Sequence, residues 1–159
     1  MNIEQDKKFL RQAIAWAAEN VRSGRGGPFA ALVVKGEQII AKGTNLVTTN
    51  NDPTAHAEIT AIRNACEQLG SFQLDDCTLY ATCEPCPMCL GAIYWSRPKR
   101  LVFAANKQQA AAAGFDDAFI YNEIVLPYNQ RKLDTERIVL QEDNTPFDLW
   151  REMENKVKY

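Results

Sequence analysis

The feature that most constrains this chain is a pair of short motifs, HAE at residues 56–58 and CEPCPMC at residues 83–89. Three side chains from these motifs can bind one metal ion together: His56, Cys86 and Cys89. A structural zinc site normally has four protein ligands, whereas a catalytic site keeps one position open for water. Glu58 is placed to move a proton to or from that water. The motifs therefore predict a catalytic zinc centre.

Other interpretations of the cysteines stay open. The CEPCPMC segment also begins a run typical of bacterial iron–sulfur proteins, but Ile93 and Tyr94 stand where the fourth cysteine and its proline would follow. A four-cysteine structural zinc site using Cys77 is conceivable, although it leaves the HAE motif without a role. We expect Cys66 and Cys77 to be core residues and Cys83 to be a neighbour of the site.

Length and composition predict one soluble domain spanning residues 1–159. Hydrophobic residues make up 46% of the chain, charged residues make up 24%, and the formal net charge is −2. Such a balance argues against a surface for a long polyanion, which requires clustered Lys and Arg. The sequence has neither an N-terminal secretory signal nor an apolar run of membrane-spanning length. We therefore expect a cytoplasmic protein that binds neither nucleic acid nor a membrane.

Periodicity and turn residues predict alternating helices and strands. The glycine-rich stretch at residues 23–28 fits no phosphate-binding motif and is interpreted as a plain turn. The order predicts an α/β protein with helices layered on a mixed sheet. Predicted helices cover residues 4–22, 55–69, 85–97, 117–125 and 147–157, and predicted strands cover residues 29–34, 38–42, 77–82, 100–105 and 137–142.

The predicted ligands fall at the beginnings of two helices. Cys86 and Cys89 are three residues apart, so on a helix they share one face, and both lie in its first turn. Unpaired backbone N–H groups and the helix dipole favour thiolates there. His56 and Glu58 lie in the first turn of the other helix. If the two helix N-termini face each other, three ligands meet one zinc ion.

The chain resembles the cytidine deaminase superfamily and, within it, the bacterial guanine deaminases. The similarity runs over nearly the whole chain and includes a C-terminal helix ending in Tyr159. The segments that carry it are GGPFAALVV (26–34), NDPTAHAE (51–58), CEPCPMCLGAIYW (83–95) and GFDD (114–117). The resemblance implies a three-layer α/β/α sandwich around a mixed five-stranded sheet. It also implies conversion of guanine and water to xanthine and ammonia, with one zinc ion per chain.

The resemblance also implies roles for individual residues. Glu58 would carry a proton from water to ring N3 of guanine. Asp117 would protonate the departing 2-amino group, although in isolation Asp116 and Asp117 fit a solvated turn or helix cap. Asn45 would bind the purine edge. Phe29 and Trp95 are aromatic candidates for packing near the base, where core packing is the alternative.

The resemblance further implies a homodimer. The C-terminal tail, from about residue 146 to residue 159, would be exchanged between subunits, so that Tyr159 helps to close the partner's active site. The alternative for the tail is a frayed terminus. Two competing functions stay open for the whole chain. One is another deaminase of the superfamily, acting on tRNA adenosine or on cytosine, and the other is a non-catalytic zinc-stabilised module.

Overall fold

The computed structural model describes residues 2–159, which form two compact units. The first unit extends to Asp117, and the second covers Ala118–Tyr159. Among the described residues, no helix has the length and apolar character needed to cross a membrane. Both units contain helices, but every strand found in residues 2–159 belongs to the first unit.

The first unit is built on a four-stranded mixed sheet in the order β2-β1-β3-β4. Strand β1 pairs antiparallel with β2 and β3, and β3 pairs parallel with β4. The elements in chain order are α1 (Ile3–Arg22), β1 (Ala30–Lys35), β2 (Gln38–Thr44), α2 (Val47–Asn50), α3 (Ala57–Leu69), β3 (Cys77–Cys83), α4 (Pro87–Ser96), β4 (Arg100–Ala105) and α5 (Lys107–Ala112).

Helices cover both faces of this sheet. Strand β1 is buried on both sides, and its side chains alternate between two core clusters. Ala31 and Val33 pack in the cluster that includes residues of α3 and α4, whereas Leu32 and Val34 pack with Phe9 of α1. Such alternation in a strand buried on both faces is typical of a layered α/β domain. The predicted α/β class is confirmed.

Local sequence signals account for the ends of the main helices. The side chain of Asn2 accepts hydrogen bonds from the backbone N–H groups of the first turn of α1. Gly70 ends α3 in the left-handed conformation, with a φ of 60° that glycine adopts without strain. Pro87 opens α4 at a position where its missing N–H costs no helix hydrogen bond. The predicted helices of the first unit therefore begin and end within a few residues of their expected positions.

The predicted fifth strand, residues 137–142, is wrong for this structure, because the sheet has four strands. Its β-branched and apolar composition favours a strand, but a strand also needs a neighbour for its backbone groups. Here the backbone groups bond locally instead: Leu140 N–H donates to the side-chain Oδ1 of Asp143 at 2.8 Å, and Asp143 N–H donates to the carbonyl of Leu140 at 3.4 Å. Ile138 and Val139 are exposed.

The second unit contains α6 (Ala118–Ile124), a 3₁₀ turn (Tyr128–Gln130) and α7 (Thr145–Glu152). The helix predicted over residues 117–125 matches α6 closely. The helix predicted over residues 147–157 begins two residues earlier and ends at Glu152. The ring of Tyr159 contacts Trp150 within this unit, with centroids 6.4 Å apart.

Candidate metal centre and adjoining cavity

The three predicted ligands lie where two helices begin. His56 is the residue that precedes the first turn of α3, and Cys86 holds the same position before α4. Both have extended backbone angles, and Cys89 follows in the first turn of α4. Because the N-termini of α3 and α4 meet, the ligands converge although 30 residues separate His56 from Cys86 in the sequence.

The distances between the ligand atoms fit a tetrahedral zinc site. Nδ1 of His56 lies 3.6 Å from Sγ of Cys86 and 3.5 Å from Sγ of Cys89. All three ligand atoms lie within 4.8 Å of one another. Zinc bonds of about 2.3 Å to sulfur and about 2.0–2.1 Å to nitrogen, set at the tetrahedral angle, place the two ligand atoms about 3.5–3.6 Å apart. The residues present therefore fit a bound zinc ion, with Nδ1 as the histidine ligand.

The two cysteines are electrostatically unequal. A hydrogen bond from Cys89 lowers the pKa of Cys86 to about 4. The same contact, together with burial, raises the pKa of Cys89. The hydrogen bond to Cys86 also raises the pKa of His56. These shifts favour the thiolate at Cys86, the form that binds metal, and metal binding at Cys89 requires the loss of its proton.

Glu58 is a buried carboxylate beside these ligands. It lies in the first turn of α3 and is 7% exposed. Its Oε2 accepts a hydrogen bond from Cys89 Sγ at 3.5 Å. Burial raises the pKa of Glu58 above its ordinary value, because the interior disfavours the charged form. A carboxylate with a raised pKa accepts a proton more readily than an ordinary carboxylate and can return it in a later step.

A cavity of about 650 Å³ adjoins the candidate metal centre. Its volume is in the range of sites for small organic molecules. Six of the predicted site residues line it: Phe29, Asn45, His56, Glu58, Cys86 and Asp117. All residues that line the cavity belong to the first unit.

Two predicted site residues are placed elsewhere. Trp95, on α4, is 64% exposed and does not line the cavity. Its position follows from helix geometry, because Ile93 takes the inward face of α4 and the two residues after it turn away. Tyr159 belongs to the second unit, where it is 71% exposed and contacts Trp150.

Asp117 is a partly buried carboxyl group at the end of the GFDD segment. Burial raises its pKa, and the nearby charges of Cys86 and Asp116 act in the same direction. A raised pKa increases the fraction of protonated acid at a given pH. Asp117 can therefore hold a proton that a substrate in the cavity would receive.

The side chain of Asn45 has a defined orientation. Its Oδ1 accepts hydrogen bonds from the backbone N–H groups of Gly27 at 3.3 Å and Val47 at 3.4 Å. Since a backbone N–H can only donate, the atom it meets must be the amide oxygen. The NH₂ end of Asn45 has no hydrogen-bond partner among residues 2–159, so it is the polar end left for a ligand.

The cavity also contains residues that the sequence did not single out. Phe115 packs edge-to-face against Phe29, with ring centroids 4.9 Å apart and an interplanar angle of 86°. Gly26 and Gly27 line the cavity from the stretch that was interpreted as a plain turn. Glu84 also lines it and accepts a hydrogen bond from the backbone N–H of Lys107 at the start of α5. Phe115 lies inside the GFDD segment, so that segment was the sequence signal that could have identified it as a cavity residue.

The model of the cytidine and deoxycytidylate deaminase zinc-binding region matches residues 3–105. The chain belongs to this deaminase family. The match includes His56, Glu58, Cys86 and Cys89, the residues that meet at the candidate metal centre. Family membership therefore agrees with the geometry, and the deaminase has a zinc-binding domain.

Several relatives resemble this deaminase over different lengths. Guanine deaminase from Bacillus subtilis is 57% identical over 151 residues, which are 95% of this chain and 97% of the relative. The crystal structure of that protein superposes with a TM-score of 0.95 at 56% identity, covering 100% and 99% of the two chains. A tRNA-specific adenosine deaminase from Haemophilus influenzae is 44% identical over 72% of this chain and 69% of its own.

A more distant structural match is a guanine deaminase from Nitrosomonas europaea. It has a TM-score of 0.66 at 35% identity and covers 69% of this chain and 63% of its own. The deaminase thus shares its central domain with enzymes named for different substrates. The share of this chain that is matched is 95% for the Bacillus subtilis guanine deaminase, 72% for the tRNA-specific adenosine deaminase and 69% for the Nitrosomonas europaea guanine deaminase.

Proposed function

We propose that this deaminase hydrolyses guanine to xanthine and ammonia. The observation that carries the proposal is the match to guanine deaminase of Bacillus subtilis, which extends over 95% of this chain. Such coverage includes most of the second unit, which lies beyond the family region at residues 3–105. The neighbouring cavity of about 650 Å³ is large enough for a purine base.

One zinc ion per chain is the proposed cofactor, held by His56, Cys86 and Cys89. Zinc bound there supplies Lewis-acid activation of a water molecule at neutral pH. The two helix N-termini stabilise the thiolates of Cys86 and Cys89 through their backbone N–H groups and dipoles. The support is the ligand spacing of 3.5 and 3.6 Å from His56 Nδ1 to the two sulfur atoms.

Glu58 is the proposed proton carrier for the addition step. Water adds through its oxygen to C2 of guanine, Glu58 accepts one water proton, and it returns that proton to ring N3. C2 then carries both the new hydroxyl group and the original amino group. The raised pKa of Glu58 favours this exchange, because a less acidic carboxyl group accepts a proton from water more readily.

Asp117 is the proposed acid for the elimination step. The C2–N bond breaks as the amine takes a proton from Asp117 and leaves as ammonia. Glu58 accepts the hydroxyl proton as the C2 carbonyl of xanthine forms, and this proton must return to Asp117 before the next turnover. The raised pKa of Asp117 supports its role as a proton donor.

Asn45 and Phe29 are the proposed substrate contacts in the first unit. The NH₂ end of Asn45 can donate to an acceptor atom of the base. Phe29 lines the cavity and is held by its edge-to-face contact with Phe115. The contact predicted for Trp95 stays a prediction, since this residue is exposed on α4 and does not line this cavity.

The enzyme is further proposed to be a homodimer that exchanges its C-terminal tail, residues 146–159. Tyr159 would then contribute to the partner's site. Apolar side chains of the second unit support an intersubunit role, because Phe147, Leu149 and Trp150 are all exposed. The cytoplasm is the proposed location, supported by five cysteines that are all free thiols.

A tRNA adenosine deaminase is the second candidate function, favoured by the 44% identity to the Haemophilus influenzae enzyme. The deciding experiment is an ultraviolet assay of the purified protein on guanine, guanosine, adenine, cytosine and cytidine, with tRNA as a separate substrate. We expect xanthine from guanine and no product from tRNA. Inosine formation in tRNA with no turnover of guanine would replace the proposed function by the second candidate.

A further inference from the structure

Asn20 joins two cavity-lining segments without lining the cavity itself. It lies near the end of α1 and is completely buried. Its Nδ2 donates hydrogen bonds to the backbone carbonyl of Gly27 at 3.0 Å and to that of Asn45 at 2.8 Å. Both N–H bonds of one amide group are thus used to hold two loops, 18 residues apart, at a fixed separation.

The other end of the Asn20 amide is left unpaired. Its Oδ1 is the one buried side-chain oxygen or nitrogen in residues 2–159 without a hydrogen-bond partner. A buried acceptor without a partner reduces the stability of the fold, and such groups are uncommon in native proteins. A leucine of similar size would fill the same space without an unpaired acceptor. The hydrogen bonds donated by Nδ2 therefore serve a purpose that packing alone does not.

The junction held by Asn20 is closely packed from its other side. A Cβ atom on Gly26 would lie 2.1 Å from the backbone oxygen of Asn45 and 3.2 Å from Nδ2 of Asn20. Only glycine allows the loop to approach this carbonyl so closely. Asn20, Gly26 and Asn45 thus form one rigid junction at the edge of the cavity.

The same junction fixes the side chain of Asn45. The amide of Asn45 is oriented by the N–H groups of Gly27 and Val47. Gly27 is one of the two residues whose carbonyl Asn20 holds, so a shift of this loop would move the donor that orients Asn45. The position of the free NH₂ end therefore depends on Asn20.

We propose that Asn20 is a positioning residue for purine binding, acting through Asn45. This inference rests on the proposed function, in which Asn45 binds the base. Asn20 keeps the Gly27 loop and the Asn45 backbone together, so that the Asn45 NH₂ group is presented to an acceptor atom of guanine before the substrate arrives. Loss of the Asn20 side chain weakens the binding of guanine and leaves the chemistry at Glu58 and the metal ligands intact.

The test is a double-mutant cycle of Asn20→Ala and Asn45→Ala, with kcat and KM for guanine measured in all four proteins. We expect Asn20→Ala to raise KM about tenfold, the effect of losing one well-placed hydrogen bond, with kcat within about twofold. In the Asn45→Ala background the same substitution should change KM by less than about twofold, because residues that act as a unit are not additive.

A matched control separates positioning from stability. Phe9→Leu alters the core beneath the same helix, where Phe9 packs against Tyr80. It should lower Tm as Asn20→Ala does while leaving KM unchanged. If Asn20→Ala is insoluble, Asn20→Ser, which keeps a hydroxyl donor, goes through the same cycle and should raise KM by a smaller factor with the same dependence on Asn45.

Two results would overturn the inference. One is a fall in Tm with no change in KM for either Asn20 variant. The other is a double variant whose fold-change in KM equals the product of the fold-changes of the two single variants, which would mean that Asn20 and Asn45 act independently. Either result, obtained with a wild-type enzyme that turns over guanine, removes the positioning role alone. A wild-type enzyme inactive on guanine would remove the proposed function and this inference with it.

Discussion

Oε2 of Glu58 lies 3.5 Å from the sulfur of Cys89, so the buried carboxylate and a predicted metal ligand share one contact. The two residues come from the first turns of different helices, α3 and α4. Their proximity means that a group bound between His56 and the cysteines is also within reach of the only carboxylate that is almost fully buried in residues 2–159. Because Glu58 is not one of the three grouped ligands, we expect its substitution to change proton transfer while leaving the ligand set in place.

Glu58→Gln is expected to keep zinc and the fold but to lower kcat by at least about 10²–10⁴-fold, since glutamine cannot carry a proton. The measurements are kcat, the zinc content and Tm. Glu67→Gln, the same substitution at an exposed position of α3, is the control and should leave all three unchanged. Near-normal turnover of Glu58→Gln would remove Glu58 from the mechanism.

Asp117→Asn should lower kcat about 10²-fold with little loss of zinc, because the departing amine loses its proton donor. Asp116→Asn, in the same turn, is the comparison and should have the smaller effect. The assay is steady-state turnover of guanine with zinc analysis of each variant. Equal effects of the two substitutions would mean that the charge of the turn matters and that Asp117 has no particular role.

Much of the site could be predicted because its chemistry is local in sequence. His56, Glu58, Cys86 and Cys89 lie in two short motifs, each at the start of a helix, and only the meeting of those helices required the fold. The elements of the first unit were equally accessible, since hydrophobic periodicity and turn residues mark them.

The parts that could not be predicted depend on tertiary context. The apolar segment at residues 137–142 has the composition of a strand, but the four-stranded sheet does not include it. Trp95 follows the metal motif in sequence and lies on an exposed position of α4, so its contact with the base stays a prediction. Asn20 gave no signal at all, because a lone asparagine in a helix shows its role only through contacts with distant backbone atoms.

Removing residues 157–159 tests the proposed tail exchange. We expect kcat/KM for guanine to fall at least about tenfold while Tm changes by less than about 2 °C, since a terminal segment contributes little to the core. Tyr159→Phe is the matched variant that keeps the ring and removes the hydroxyl group. Full activity of the shortened protein would show that the tail does not take part in either subunit's site.

Gly26→Ala is expected to destabilise the protein by about 1–3 kcal/mol, because the new methyl group meets the backbone of Asn45 and cannot be accommodated by a side-chain rotation. KM for guanine should rise as well, since the displaced backbone carries the Asn45 side chain. The control is Gly91→Ala on α4, where nothing lies within 4 Å of the added atom. That variant should be neutral or more stable by up to about 1 kcal/mol. Equal stability of the two variants in urea denaturation would contradict the close packing at Gly26.

The ion pair between Asp6 and Arg100 predicts a stability change in acid. Arg100 donates two hydrogen bonds to the Asp6 carboxylate, at 3.0 and 2.8 Å, and the hydroxyl of Tyr80 donates a third at 2.7 Å. These contacts connect α1 with β3 and β4. The hydrogen bonds from Arg100 and Tyr80 lower the pKa of Asp6 below 3.8, whereas burial and the contact with Asp6 raise the pKa of Tyr80 to about 12.

The sign of the effect follows from the lowered pKa of Asp6. Its contribution to stability is fully present above pH 3.8, the value for the unfolded chain, and is lost as the pH falls through the lower pKa of the folded state. Asp6→Asn should therefore cost about 1–2 kcal/mol at pH 7 and progressively less below pH 3.8. Glu4→Gln, in an exposed pair with Lys7 on the same helix, should cost less than about 0.5 kcal/mol at any pH. Urea denaturation of the three proteins from pH 7 to pH 3 measures the differences, and a penalty for Asp6→Asn that stays constant over this range would refute the linkage.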